Sequence, residues 1–380
     1  AVQDDPVQTA IEAAAQYGGA VSIQYALWQD GEITLTGHAG VYSRTENRAL
    51  TDDILYGVGS VSKVYTTAAV MLLAEEGKLD LDAPVTEYLP EFTMADARYE
   101  QITVRMLLNH SSGLMGTSQR NAFLFDDPDD SAVQQLLERL ATQNLKADPG
   151  TSSVYCNDGF TLAQLVVERL SGQSLGEFLH EKILVPAGLE DTFVPADDFD
   201  ASRLAKTYQG SDVRELPQES LGIVGTGGIY ATASDLAAFG GLFCGENEVL
   251  SLSAQQQTMA DEYARGIWPE DTEDLLSYGL GWDSVHFYPF AYDGIQALAR
   301  GGDTLQYHAG LVVLPEYDMA CAVLSSGGVS TYNEMAAAQI LCAALAEDGI
   351  TVSQSGPAQQ DTAVPADMPQ ELMELAGYYA

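Results

Sequence analysis

The order of patterned segments constrains this chain more than any single residue does: strand-like stretches lie towards both ends and helix-like stretches fill the middle. Residues 7–17 carry helical spacing closed by Gly18-Gly19. Residues 21–28 and 33–41 then read as strands, and Asp30-Gly31 between them marks a hairpin. Over 60–76, Val64, Ala68, Met71 and Leu72 recur at helical spacing until Gly77. Residues 104–109, 131–145, 160–170, 175–183 and 233–243 are helical in pattern as well, with Gly- and Pro-rich loops between them. After about residue 275 the pattern returns to strands, at 279–286, 295–299, 311–314 and 321–324, and 332–345 forms a last amphipathic helix. Strands at both ends enclosing helices imply an α+β fold: one antiparallel sheet built from the two chain ends and flanked by helices, with an all-helical lobe inserted over about residues 80–225. An active site between two such lobes is the natural expectation.

With 380 residues the chain can bury a large core, and 46% hydrophobic against 19% charged residues is a globular profile. The formal charge is -39, from 55 acidic and 16 basic residues, and such a surface repels nucleic acid and anionic lipid. A Lys or Arg inside a motif therefore carries unusual weight. Cys156, Cys244, Cys321 and Cys342 show neither C-x-x-C nor zinc-ligand spacing, so no disulfide framework, metal or other cofactor is expected. No apolar run reaches the roughly 20 residues a transmembrane helix needs. The chain starts at Ala1 without an initiator Met, as a processed exported protein would, which points to an extracytoplasmic location.

The chemistry is concentrated in Gly57-Val58-Gly59-Ser60-Val61-Ser62-Lys63, where Ser60 and Lys63 form S-x-x-K at the start of a helix. A spacing of three puts both side chains on one face, about 5–6 Å apart at Cβ. A Ser hydroxyl is a poor nucleophile until a neighbour takes its proton, and a desolvated Lys can be basic enough at neutral pH to do so. With five Lys in the chain the pattern alone is weak, and its company decides. Tyr155-Cys156-Asn157 follows the Pro149-Gly150 loop and precedes a helix. In isolation it reads as a buried Tyr and a helix-capping Asn. Further on, Arg300-Gly301-Gly302 and His308-Ala309-Gly310 compete for a place on the strand that edges the cleft.

Taken together, these motifs resemble those of the β-lactamase-related serine hydrolases: class C β-lactamases, D,D-peptidases and penicillin-binding proteins. In the family that these motifs resemble, the edge strand turns and returns as an antiparallel partner ending in an apolar run and Pro. Only Arg300 leaves room for that return before 311–314 and Pro315, so His308 is expected to be a structural histidine on the turn. Leu107-Leu108-Asn109-His110-Ser111-Ser112-Gly113-Leu114 and Gly227-Gly228-Ile229-Tyr230 running on to Asp235 look like further family segments, and the resemblance spans about residues 7–347. It implies a β-lactamase/transpeptidase-like fold and acyl transfer through a covalent acyl-enzyme. Ser60 would be the nucleophile, with Lys63 and Tyr155 moving protons. Asn157, Arg300, Gly301 and Gly302 would hold substrate, and the backbone N–H groups of Ser60 and Asp303 would form the oxyanion hole. Where family members have a Lys or His, Arg300 offers a fork suited to a carboxylate, which favours a small-molecule or peptide acyl substrate with a free carboxyl group. D-amino-acid or cell-wall-type peptides come first; a carboxylesterase or acyltransferase, or a non-catalytic penicillin-binding sensor, are the alternatives. On this reading residues 1–350 are the catalytic domain and 351–370, rich in Ser, Gln, Ala and Pro, a linker. Residues 371–380 resemble the first strand of an accessory β domain, either truncated there or docked on the main body.

Overall fold

The computed structural model describes residues 6–118, 120–268, 277–353 and 373. Helix α1 (Pro6–Gly18) leads into β1 (Ser22–Gln29) and β2 (Glu32–Gly40). Both turn residues between the strands have positive φ, 51° at Asp30 and 95° at Gly31, the combination a tight hairpin demands of Asp-Gly. A 3₁₀ turn, Gly59–Val61, opens α2 (Ser62–Glu75). The helices that matter next are α3 (Asn157–Ser171) and α4 (Ala233–Gly241). Strands β3 (Leu298–Asp303), β4 (Tyr307–Leu314) and β5 (Met319–Ser326) follow, and α5 (Ser330–Glu347) comes last.

The main sheet has the order β2-β1-β5-β4-β3 and is antiparallel throughout. The two chain ends meet where β1 pairs β5, from Ser22 opposite Ser326 to Gln29 opposite Met319. Every residue of β4 and β5 is buried, because helices cover both faces. On one face Ile11 and Ala14 of α1 and Ile340, Leu341 and Leu345 of α5 pack on Ile23, Val312 and Val323. On the other, Leu236, Ala237 and Phe239 of α4 meet Leu311, Val313 and Ala322. Helix α4 lies close because Gly240 and Gly241 face the sheet: a Cβ on Gly241 would sit 2.5 Å from the Trp28 ring. Strand β3 is the edge of the sheet: Ala299 still bonds outward to Ser284, and beyond it the outer side carries no strand partner among the described residues.

Several boundaries differ from expectation. Residues 279–286 form no continuous strand; only Ser284 and His286 make isolated bridges, to Ala299 and Ala297. The first part of the segment bonds to helices, Leu280 N–H to Thr258 O at 3.0 Å and Gly281 N–H to Leu108 O at 3.1 Å, before Asp283 and Ser284 reach Ala299. Gly281, at φ +80°, lies against Thr67, so the segment turns inward rather than extending. The strand expected at 295–299 begins later and runs through the glycines to Asp303, because those glycines fit against a neighbouring backbone. The helix expected over 131–145 stops at Leu140, and Leu145 N–H is taken by Asp96. The inserted lobe is not purely helical: Phe123–Phe125 pairs with Glu219–Leu221. Of the expected linker only 351–353 lies within the described residues, and of 371–380 only Met373.

Candidate active site

Helix α2 delivers Ser60 and Lys63 to the open edge of β3. Two glycines make the approach possible. Gly59 has φ +51°, and a Cβ there would lie 2.6 Å from Asp303 N; a Cβ on Gly302 would run into the Val58 carbonyl and lie 2.9 Å from Ser60 N. The strand and the 3₁₀ turn therefore touch backbone to backbone. Thr304 N–H donates to Tyr307 O at 2.9 Å, which fixes the ladder phase. Since antiparallel hydrogen bonds alternate along a strand, Gly302 faces β4 while Asp303 directs its N–H outward, to the side where Ser60 lies.

Tyr155 arrives from the other lobe, in the loop before α3. That loop is tied to residues 109–111: Ser153 Oγ donates to Asn109 O at 2.8 Å, Val154 N–H to His110 O at 2.9 Å, and Cys156 N–H to His110 Nδ1 at 3.0 Å. His110, at φ +62°, stacks its ring 4.5 Å from that of Tyr155. Burial, then the nearby Arg300 and Lys63 charges, hold His110 well below its ordinary pKa, so it is a neutral brace. The Cys156 side chain points to Gly116 O, into the core and away from the cleft.

The three groups converge on one atom. Ser60 Oγ lies 2.8 Å from Lys63 Nζ and 2.7 Å from the Tyr155 hydroxyl. Lys63 Nζ also donates to Thr226 O at 2.8 Å and is fully buried. Burial first, and the Arg300 charge second, drive its pKa well below 10.5, which favours the neutral amine. Burial raises the Tyr155 pKa against the pull of Arg300, so the phenol keeps its proton. Tyr155 is 37% exposed, so a ligand can still reach it.

Arg300 is fully buried, and its fork is already engaged. Nη1 donates to Asp283 Oδ1 at 2.6 Å, Nη2 to the Tyr155 hydroxyl at 2.7 Å, and Nε to Ser60 O at 3.0 Å. This differs from the expectation of a fork facing a substrate carboxylate: Asp283 takes that place, and Arg300 clamps Tyr155 to the Ser60 turn. Asn157 Nδ2 donates to Thr117 Oγ1 at 2.9 Å at the cleft rim, a contact that a substrate carbonyl would have to exchange. His308 is the second residue of β4 and is paired to Asp303, Nδ1 to Oδ1 at 2.6 Å, rather than lying on the turn itself. Gly301 and Asp303 line the cleft with Ser60. Cavities of 730 and 890 Å³ elsewhere contain none of the motif residues, so chemistry and not void size locates the site.

Sequence reasoning missed Asp283, Thr226, His110 and Glu334. His110 stood in a recognised segment without a role; the others contribute a carbonyl or a carboxylate from segments with no motif spelling. Among the described residues no group of three or more His, Cys, Asp or Glu could hold a metal ion.

The profile of the Beta-lactamase family matches residues 7–345. The chain belongs to that family. Among relatives of this Beta-lactamase family member, penicillin-binding protein 4 of Amycolatopsis lactamdurans is 27% identical over 319 residues, 80% of this chain and 81% of that one. A D-aminopeptidase of Brucella canis is 30% identical over 284 residues, 70% of this chain and 51% of that one, so the chain spans about half its length. The octameric penicillin-binding protein homologue from Pyrococcus abyssi superposes with a TM-score of 0.73 at 23% identity, covering 90% of this chain and 77% of that one, a likeness of fold. The family is one of serine hydrolases.

Proposed function

We propose that this family member forms a covalent acyl-enzyme at Ser60 and cleaves an amide, peptide or ester bond, with D-amino-acid or cell-wall-type peptides as the favoured substrates. The observation that carries the reading is the placement of Ser60 Oγ between Lys63 Nζ at 2.8 Å and the Tyr155 hydroxyl at 2.7 Å. The neutral Lys63 amine takes the Ser60 proton as Oγ attacks the carbonyl carbon. The oxyanion is received by the N–H groups of Ser60 and Asp303. Collapse breaks the scissile bond, and the Tyr155 phenol gives its proton to the departing nitrogen or oxygen while Lys63 replenishes it. Water then adds to the ester carbonyl and gives its proton to the neutral Lys63 amine, and that proton is returned to Ser60 Oγ as the acyl product leaves. Asn157, Gly301 and Gly302 would hold the substrate along the β3 edge, and Arg300 would position Tyr155.

Relatives named D-aminopeptidase support the peptide reading, and a relative named esterase supports the ester alternative. An extracytoplasmic location agrees with a cell-wall-type substrate, and no helix among the described residues is long and apolar enough to cross a membrane. The test is product analysis with a D-alanyl-D-alanine peptide and a short-chain p-nitrophenyl ester, for the native chain and Ser60→Ala. Peptide cleavage lost in Ser60→Ala is expected. Turnover of the ester alone would move the function to esterase, and activity unchanged in Ser60→Ala would remove the assignment.

A further inference from the structure

Two cavities meet at Ser60, and both also touch Asn157 and Asp303. The smaller, about 270 Å³, is walled by Ala122, Phe123, Leu221 and Ile223 on one part and by Thr117, Asn121 and Thr226 on another. The larger, about 690 Å³, reaches past Tyr155 and Asp283 to Ser330 and Glu334 on α5.

The charges of the larger cavity can be assigned one by one. The Arg300 cation is matched by Asp283 at 2.6 Å. The Asp303 carboxylate accepts from Ser330, whose N–H and hydroxyl donate at 3.0 and 2.7 Å, and lies 2.6 Å from His308 Nδ1. Lys63 is turned towards Ser60 and Thr226. Glu334 remains. It is half-buried, lies over Gly301 on the cleft side, and has no hydrogen bond or ion pair among the described residues. Among the described residues the cavity therefore holds no spare cation and one carboxyl group without a hydrogen-bond or ion-pair partner.

We propose that the larger cavity accepts a protonated amine of the substrate, with Glu334 as its counter-charge, and turns away substrates that place a carboxylate there. This deepens the acyl-enzyme reading and rests on it. The empty site stores the demand for a cation: burial, with Asp283 and Asp303 nearby and only Arg300 opposing, pushes the Glu334 carboxyl up to about 8. An ammonium beside it would release that proton, whereas a carboxylate would meet Asp283 and Glu334 together.

Calorimetric binding to Ser60→Ala separates charge preference from turnover. Four ligands would be compared: N-acetyl-D-alanyl-D-alaninamide as the neutral reference, D-alanyl-D-alaninamide and N-acetyl-D-alanyl-D-lysinamide with the amine on either side, and N-acetyl-D-alanyl-D-alanine with a carboxylate. One of the amines should bind at least about tenfold tighter than the reference, and the carboxylate more weakly. Adding Glu334→Gln should bring the amine within about twofold of the reference. Equal binding of all four, or a preference that survives Glu334→Gln, would overturn the proposal, and the comparison among ligands on Ser60→Ala alone decides it if the second variant fails to fold. Ester turnover by the native chain that does not depend on Ser60 would strike the acyl-enzyme reading instead, a distinct failure.

Discussion

Lys63 shows at the scale of one residue how the proposed proton acceptor sets fold stability against reactivity. Its ordinary pKa is 10.5, and in the fold burial and Arg300 depress it strongly. Between the folded and unfolded values the unfolded chain binds the extra proton, so stability rises with pH across that window and the folded state is penalised at pH 7. Lys63→Met removes the penalty. Thermal melts should show the variant more stable than the native chain at pH 7, with the gap closing above pH 10.5, while acylation falls about 10²–10⁴-fold. Native acylation should also decline as the pH falls and Lys63 gains its proton. Asp283 obeys the opposite logic. Asp283→Ala leaves the fully buried Arg300 charge uncompensated, a loss of about 3 kcal/mol in urea unfolding. Ser60, Lys63 and Tyr155 were legible in the sequence because their spacing and types are a chemical statement. Asp283 and Glu334 were not, since a lone acidic residue in a chain with 55 of them carries no signal.

At the scale of elements, the site depends on how closely β3 approaches the 3₁₀ turn before α2. Gly302 fits only because it has no Cβ to meet Val58 O. Gly302→Ala should displace the strand edge, and with it the Asp303 N–H, lowering kcat/KM about 10²-fold or more while global stability falls by only about 1–3 kcal/mol. Steady-state kinetics beside denaturant curves test this, and an unchanged kcat/KM would show that the close approach is dispensable. The same pair of glycines explains why the strand at 295–299 was misplaced: alternating apolar residues mark a strand, but a strand continuing through Arg-Gly-Gly-Asp is visible only once its neighbour is known. Residues 279–286 mislead in the reverse direction, since their apolar run serves Thr258 and Leu108 on helices instead of a ladder.

For the whole molecule, the sheet that joins both chain ends was legible because the N-terminal hairpin and the C-terminal strands each lack enough partners of their own. The relative setting of the two lobes was not, because it rests on contacts such as Val154 N–H to His110 O that no local pattern announces. A formal charge of -39 adds self-repulsion to every compact state. Raising the salt from about 0.01 to 1 M shortens the screening length from about 30 to 3 Å, and the melting temperature should rise by several degrees. A fall would mean that ion pairs such as Arg105–Asp82 outweigh the repulsion. The central claim is that the two lobes bring an amine and a phenol onto a single hydroxyl. Its most direct measurement is peptide mapping of the chain after exposure to a panel of β-lactams and activated esters. The account predicts one adduct, on Ser60, formed far more slowly in Lys63→Met and Tyr155→Phe. Adducts on another residue, or labelling of Ser60 at an unchanged rate in both variants, would contradict it.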